Sequence, residues 1–268
     1  MQVPYPPPLA DELWHVAHTL ADIARPVVLR HFRQPGLQGD NKDEAGGFDP
    51  VTAADHEAEA AIRATLAQMR PEDAVLGEEG GTTQGTSGLT WVIDPVDGTR
   101  GFLSGTPVWG VLVALCDADG PILGIIDQPY IGERFWGGLG VARFRGPMGE
   151  APLATRPPRP LAEATLFSTF PEIGSTAERA AFERVATRAR LTRFGADCYA
   201  YALVAAGQID LVIEAGLGAH DIAAPIAVIE AAGGLVTDWQ GGPAQGGGQA
   251  LAAANAAIHA EALALLNG

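Results

Sequence analysis

Basic residues are scarce in this chain: 17 Lys and Arg stand against 32 Asp and Glu, a formal net charge of −15. Nucleic-acid binding calls for clustered Lys and Arg, so that class of partner is set aside. Cysteine is nearly absent. Cys116 and Cys198 fall in apolar runs and read as two buried thiols, not as a disulfide framework. No apolar run reaches the ~18 residues that a spanning helix requires, so no membrane partner is expected. The opening residues, MQVPYPPPLADELW, lack both a basic region and an apolar core. They read as a short extended arm rather than a secretory signal, and the cytoplasm is the expected location. No internal repeat is found.

What is present is an ordinary globular composition. The 268 residues are 47% hydrophobic and 18% charged, enough to bury a sizeable core. The most informative stretch runs from Trp91 to Gly105, WVIDPVDGTRGFLSG. Trp91, Val92 and Ile93 form an apolar, β-prone run that reads as a buried strand. Pro95 cannot donate to a central ladder, so the strand is expected to end there with Asp94 and Asp97 at its tip. A buried strand that finishes in two anions calls for a cation, and hard divalent ions take carboxylate oxygens.

Apolar spacing predicts an amphipathic helix over about 10–33, kinked or interrupted at Pro26. A Gly-rich polar loop follows, and a helix starts near Thr52, with Thr52 and Asp55 at capping-box spacing. The runs VLVALC and PILGIID flank Asp119-Gly120, a strong hairpin turn. ERFWGG and VARFRG read as further strands, so the first half is helices followed by an antiparallel sheet. In the second half TLFSTF, IDLVIEA, LVTDW and LAAAN read as strands. Helices are placed at 176–190, 195–207, 221–232 and 256–266. That alternation suggests an α/β half, joined to the first through PLATRPPRPLAEA (152–164).

Four motifs, in order, resemble the signatures of the inositol monophosphatase family: Asp49-Pro50-Val51-Thr52-Ala53-Ala54-Asp55, Gly77-Glu78-Glu79, the DPVDGT string, and HDIAAPIAVIEAAGG from His220 to Gly234. The resemblance runs from about Leu13 to the C-terminus. It implies one α/β domain over 1–268, a layered αβαβα sandwich with two halves at about 1–155 and 156–268. It also implies a Mg²⁺-dependent phosphomonoesterase working by metal-activated water attack, with two or three Mg²⁺ per site, and homodimers are common among similar proteins. Cations would resolve a puzzle of charge, since a field of this sign repels a phosphate ester.

Position by position, the resemblance assigns Glu78, Asp94 and the carbonyl of Val96 to one metal, and Asp94, Asp97 and Asp221 to a second. Asp221 is also placed to cap a helix. Gly98 and Thr99 would receive the phosphate, and Thr99 with Glu78 would orient and activate the water. Thr99 as a simple helix cap is the plainer alternative. Lys42, Asp49 and Thr52 correspond loosely to a third-metal loop, although Lys42 also reads as a solvated loop lysine. Glu79 is expected to support Glu78, His220 to pack in place of a usual aromatic, and Trp109 to sit in the core. Gly195, Ala196, Asp197 and Glu214 would line the alcohol pocket. Asp197 stands where inositol-directed enzymes carry a small apolar residue, and a second carboxylate beside Glu214 suits a cationic alcohol. Similarity to the histidinol-phosphate phosphatase branch points the same way. Pairing of Asp197 with Arg193, with inositol-1-phosphate or another small phosphate as substrate, is the alternative. A non-catalytic Mg²⁺-binding regulator is the alternative of another class.

Overall fold

The computed structural model describes residues 5–42 and 50–268. Helix α1 (Pro7–His31) buries Leu13, Val16, Leu20, Ala24 and Val28 along one face, and it runs unbroken past Pro26. Short strands β1 (Asp40–Asn41) and β2 (Pro50–Val51) pair antiparallel. Helix α2 (Ala53–Met69) then begins with the expected reciprocal cap. The Thr52 hydroxyl accepts from the Ala54 N–H at 3.1 Å, and the Asp55 carboxylate accepts from the Thr52 N–H at 2.9 Å.

The first sheet comprises β3 (Ala74–Gly77), β4 (Gly81–Thr83), β5 (Thr90–Asp97) and, after the single short helix α3 (Thr99–Ser104), β6 (Gly110–Cys116). It continues with β7 (Pro121–Gln128), β8 (Glu133–Gly138), β9 (Val141–Gly146) and β10 (Gly149–Pro152). The spatial order is β10-β9-β8-β7-β6-β5-β3-β4. All neighbours are antiparallel except β3 and β5, which run parallel. The expectation of a purely antiparallel sheet therefore fails at β3, whose four residues carry too short a pattern to read.

Pro95 also behaves differently from expectation. Strand β5 does not stop there. Asp94 pairs with Leu112 and Asp97 with Gly110, so one extra residue is accommodated between them. Such a bulge leaves residues unpaired, which is how a proline is tolerated inside a central strand. The bulge turns the two aspartates into one corner of the sheet.

The second half holds β11 (Thr165–Ser168), α4 (Thr176–Ala186), β12 (Leu191–Phe194), α5 (Asp197–Ala205) and β13 (Leu211–Leu217). It ends with α6 (Ala219–Ala231), β14 (Leu235–Thr237), β15 (Gly248–Ala253) and α7 (Ala256–Asn267). The sheet order is β12-β11-β13-β15-β14, parallel around β11 and antiparallel around β15. Helix α4 ends at Ala186, short of the expected 190, and Leu191–Phe194, beyond the expected helix, forms an edge strand that the sequence reading did not place.

Alternating side chains build the layers. In β6, Val111, Val113 and Leu115 face the core under α1 and α2, whereas Leu112 and Ala114 face α5 and α6. In β13, Val212 joins that same middle core, whereas Leu211 and Ile213 face α4 and α7. Both sheets are covered on both faces, which explains their near-continuous apolar runs. The result is the αβαβα sandwich. Gly124 lets α6 lie close, since a Cβ there would stand 2.9 Å from the Ala224 Cα.

Candidate active site

The β5 bulge, the end of β3, the end of β13 and the first turns of α3, α5 and α6 enclose a cavity of about 430 Å³. Glu78, Asp94, Val96, Asp97, Gly98, Thr99, Asp197, Glu214 and Asp221 all line it. Carboxylate oxygens of Asp94, Asp97 and Asp221 lie within 4.8 Å of one another. So do those of Asp55, Glu78 and Glu79, and a third group joins Glu78 and Asp94 to a ring nitrogen of His220.

Each acid is fixed by backbone. Asp94 Oδ1 accepts from the Val96 N–H at 3.0 Å, across the bulge. Asp97 Oδ2 accepts from the Cys198 N–H at 2.6 Å, which ties the first sheet to α5. Asp221 is the third residue of α6 and accepts from the Gly218 N–H at 2.6 Å, so its carboxylate caps the helix while lining the cavity. Glu78 is held indirectly. Buried Glu59 on α2 accepts from the N–H groups of Glu79 at 2.8 Å and Gly80 at 2.7 Å, and Arg63 pairs with it. A Cβ at Gly77 or Gly80 would overlap that Glu59 carboxylate. Sequence reasoning passed over Glu59.

Burial, together with repulsion from Glu78, Asp97 and Asp221, raises the Asp94 carboxyl well above its usual range. Asp97 is raised by burial and by Asp197 and Asp221. Burial pushes Asp55 up to about 6 against two hydrogen bonds from Thr52. Among the described residues, no protein cation stands among Asp94, Asp97 and Asp221 to offset this crowding. A cluster whose donors are all hard oxygens fits a divalent cation.

Thr99 is the first residue of α3, not its cap, and its hydroxyl donates to the Val96 carbonyl at 3.0 Å. Gly98 is the cap, with φ 83°, and a Cβ there would stand 3.0–3.1 Å from the Asp197 carboxyl. Glycine is required twice over, by backbone and by room. Asp197 itself holds φ 46°, a left-handed conformation that costs a non-glycine residue of order 1–3 kcal/mol.

Asp197 and Glu214 line the cavity together with the acidic cluster. Glu214 accepts from the hydroxyls of Thr169 and Tyr201, the latter at 2.8 Å, and burial pushes it up to about 7. Burial raises Asp197 to about 6, and the cation that opposes this is Arg100, not Arg193. The spacing of Asp197 and Tyr201, four apart on α5, is the one signal that could have revealed Tyr201. Among the described residues, Gly195 and Ala196 are not part of the lining.

Lys42, the only lysine of the chain, is no solvated loop residue: its Nζ donates to Glu78 at 2.6 Å and to Glu79 at 2.9 Å. Burial lowers its pKa, and the two glutamates outweigh that and raise it. Thr52 caps α2, and Asp49 lies outside the described residues. His220 lines the cavity instead of packing in the core, whereas Trp109 is buried as expected. Cys116 and Cys198 are both free thiols. No helix among the described residues is long and apolar enough to cross a membrane.

Residues 9–267 match the inositol monophosphatase family. A chloroplastic bifunctional phosphatase of Arabidopsis thaliana, IMPL2, is 40% identical over 86% of this chain, which spans 65% of that protein. A histidinol-phosphatase of Mycobacterium tuberculosis is 34% identical over 94% of this chain and 96% of its own length. Among solved structures, an inositol monophosphatase from Zymomonas mobilis superposes with a TM-score of 0.85 at 36% identity, covering 98% of this chain and 100% of that one.

Proposed function

Since the chain belongs to the inositol monophosphatase family and is a phosphatase, we propose that it hydrolyses histidinol phosphate to histidinol and phosphate with Mg²⁺. The observation that carries the substrate is a pair of carboxyl groups in the cavity wall, a buried Glu214 and a half-buried Asp197. A neutral polyol can hydrogen-bond to carboxylates but brings no charge to offset a second anion there. Histidinol phosphate bears an ammonium and an ionisable imidazole, which would favour the charged form of both carboxyls. The histidinol-phosphatase of M. tuberculosis supports the same reading.

Glu78, Asp94, Asp97 and Asp221, with the Val96 carbonyl, would hold the cations. Octahedral ligands at ~2.1 Å stand ~3–4.2 Å apart, and the Asp94–Asp97–Asp221 oxygens cluster within 4.8 Å. Bound there, divalent cations supply charge to offset the phosphate dianion and to acidify the attacking water. The protein does the rest. The Thr99 hydroxyl donates its hydrogen bond to the Val96 carbonyl, so its oxygen would be left to accept from that water and orient it. Glu78, which lines the same cavity, would accept the proton of that water. Gly98 and Thr99, at the start of α3, would offer backbone N–H groups to the phosphate, with no side chain at Gly98 to obstruct it.

Phosphate release with Mg²⁺ should be measured on histidinol phosphate, inositol-1-phosphate, fructose-1,6-bisphosphate and 3′-phosphoadenosine 5′-phosphate. Histidinol phosphate is expected to give the highest kcat/KM. Loss of one partner of a desolvated charge pair costs ~2–5 kcal/mol, at least ~30-fold. Asp197→Ala should show that loss on histidinol phosphate and leave inositol-1-phosphate unchanged. Preference of the wild type for inositol-1-phosphate, or an unmoved ratio in the variant, would refute the assignment.

A further inference from the structure

His220 is the second residue of α6, and its side chain is 25% exposed at the cavity wall. One of its ring nitrogens lies within 4.8 Å of carboxylate oxygens on both Glu78 and Asp94. The ring is held in place sterically, because it rests against Gly218, where a Cβ would stand 2.5–3.0 Å from its atoms. Its Nε2 stands 3.6 Å from Asp221 Oδ1, longer than a hydrogen bond. Among the described residues no hydrogen bond claims either nitrogen, and the imidazole faces the two carboxylates.

We propose that His220 is a metal ligand, completing with Glu78 and Asp94 a mixed nitrogen–oxygen site beside the all-oxygen site of Asp94, Asp97 and Asp221. This rests on the reading that Glu78 and Asp94 hold a cation. Mg²⁺ favours oxygen ligands, whereas imidazole gains affinity along the series from Mn²⁺ to Co²⁺ and Ni²⁺. The two positions of one cavity therefore sort metals differently. The mixed site favours Mn²⁺ or Co²⁺ over Mg²⁺, and the all-oxygen site keeps the ordinary preference for a hard ion.

The test loads the full chain with Mn²⁺ and looks for nitrogen hyperfine coupling by pulsed electron paramagnetic resonance, with Mn²⁺ and Mg²⁺ affinities from calorimetry. His220→Phe keeps a ring against Gly218 and removes the donor. Even ligand-supporting groups change metal affinity ~10–100-fold, so one Mn²⁺ position should weaken at least tenfold while Mg²⁺ binding moves far less. Nitrogen coupling should be present in the wild type and lost in His220→Phe. It should survive His56→Phe, since His56 lies 3.9 Å from Glu79 and is the other imidazole near the acids. Absence of coupling in the Mn²⁺-loaded wild type, its persistence in His220→Phe, or an unmoved Mn²⁺:Mg²⁺ affinity ratio would overturn the proposal. Undiminished Mn²⁺ binding in Asp94→Asn would instead remove the cation reading beneath it, and the proposal with it.

Discussion

Asp94 on β5 and Asp127 on β7 are aspartates of the same sheet, buried to 1% and 0% exposure. Their surroundings are opposite. Asp127 accepts from Arg25 Nη2 at 2.6 Å and Nε at 3.1 Å and from Arg134 Nε at 2.6 Å, and Arg134 also meets Asp22 at 2.7 Å. Among the described residues Asp94 has a single backbone N–H, and its charged neighbours are Glu78, Asp97, Asp221 and Asp55. A buried anion with its cations supplied by the chain holds structure together. One crowded by other anions marks a place where charge must come from outside.

The contrast can be broken by neutralising each aspartate in turn. Asp94→Asn should lower phosphate release by at least ~10³-fold, the upper range for losing one preorganised electrostatic group. The folded state without metal should be unharmed or firmer, because a repulsive charge is gone. Asp127→Asn should do the reverse. Removing one partner of a buried ion pair costs ~3–5 kcal/mol, so urea melts should show a large loss of stability, with kcat per folded molecule nearly intact. Equal effects of the two substitutions on both readouts would erase the distinction.

A smaller effect sharpens it through pH. Asp55, Asp197 and Glu214 have carboxyls raised to about 6, 6 and 7, from the usual 3.8–4.5. A raised acid binds its proton more tightly in the fold than in the unfolded chain, so folding is favoured while it is protonated. Without metal, stability should fall as pH rises from about 4.5 through 7, by roughly 5 °C or more in Tm. Thermal scans in EDTA between pH 5 and 8 check this, and a Tm that climbs over that range contradicts it.

Much of this was local and therefore legible. The DPVDGT string, the Thr52–Asp55 cap and the Asp119-Gly120 hairpin each carry their geometry within a few residues, and the family resemblance supplied the layering. What escaped depends on distance. Glu59 stands 19 positions before Glu78, and only the meeting of α2 with the end of β3 turns it into the anchor of that turn. Tyr201 and Thr169 reach Glu214 from other elements. Arg193 was the nearby candidate for Asp197, but the cation that acts on it is Arg100 of α3, distant in sequence. Pro95 showed that a residue excluded from a ladder can remain in a strand, through a bulge that sequence pattern does not announce.

The most direct measurement is the thermal unfolding of wild type and Asp94→Asn at pH 7.5, each with EDTA and with saturating Mg²⁺. Binding to the native state alone raises stability by ~2.7 kcal/mol at a hundredfold excess over Kd. The account predicts that Mg²⁺ raises the wild-type Tm by several degrees and leaves Asp94→Asn unmoved. A wild-type Tm indifferent to Mg²⁺, or an equal rise in the variant, would contradict the claim that the crowded carboxylates of β5 are built to receive a cation.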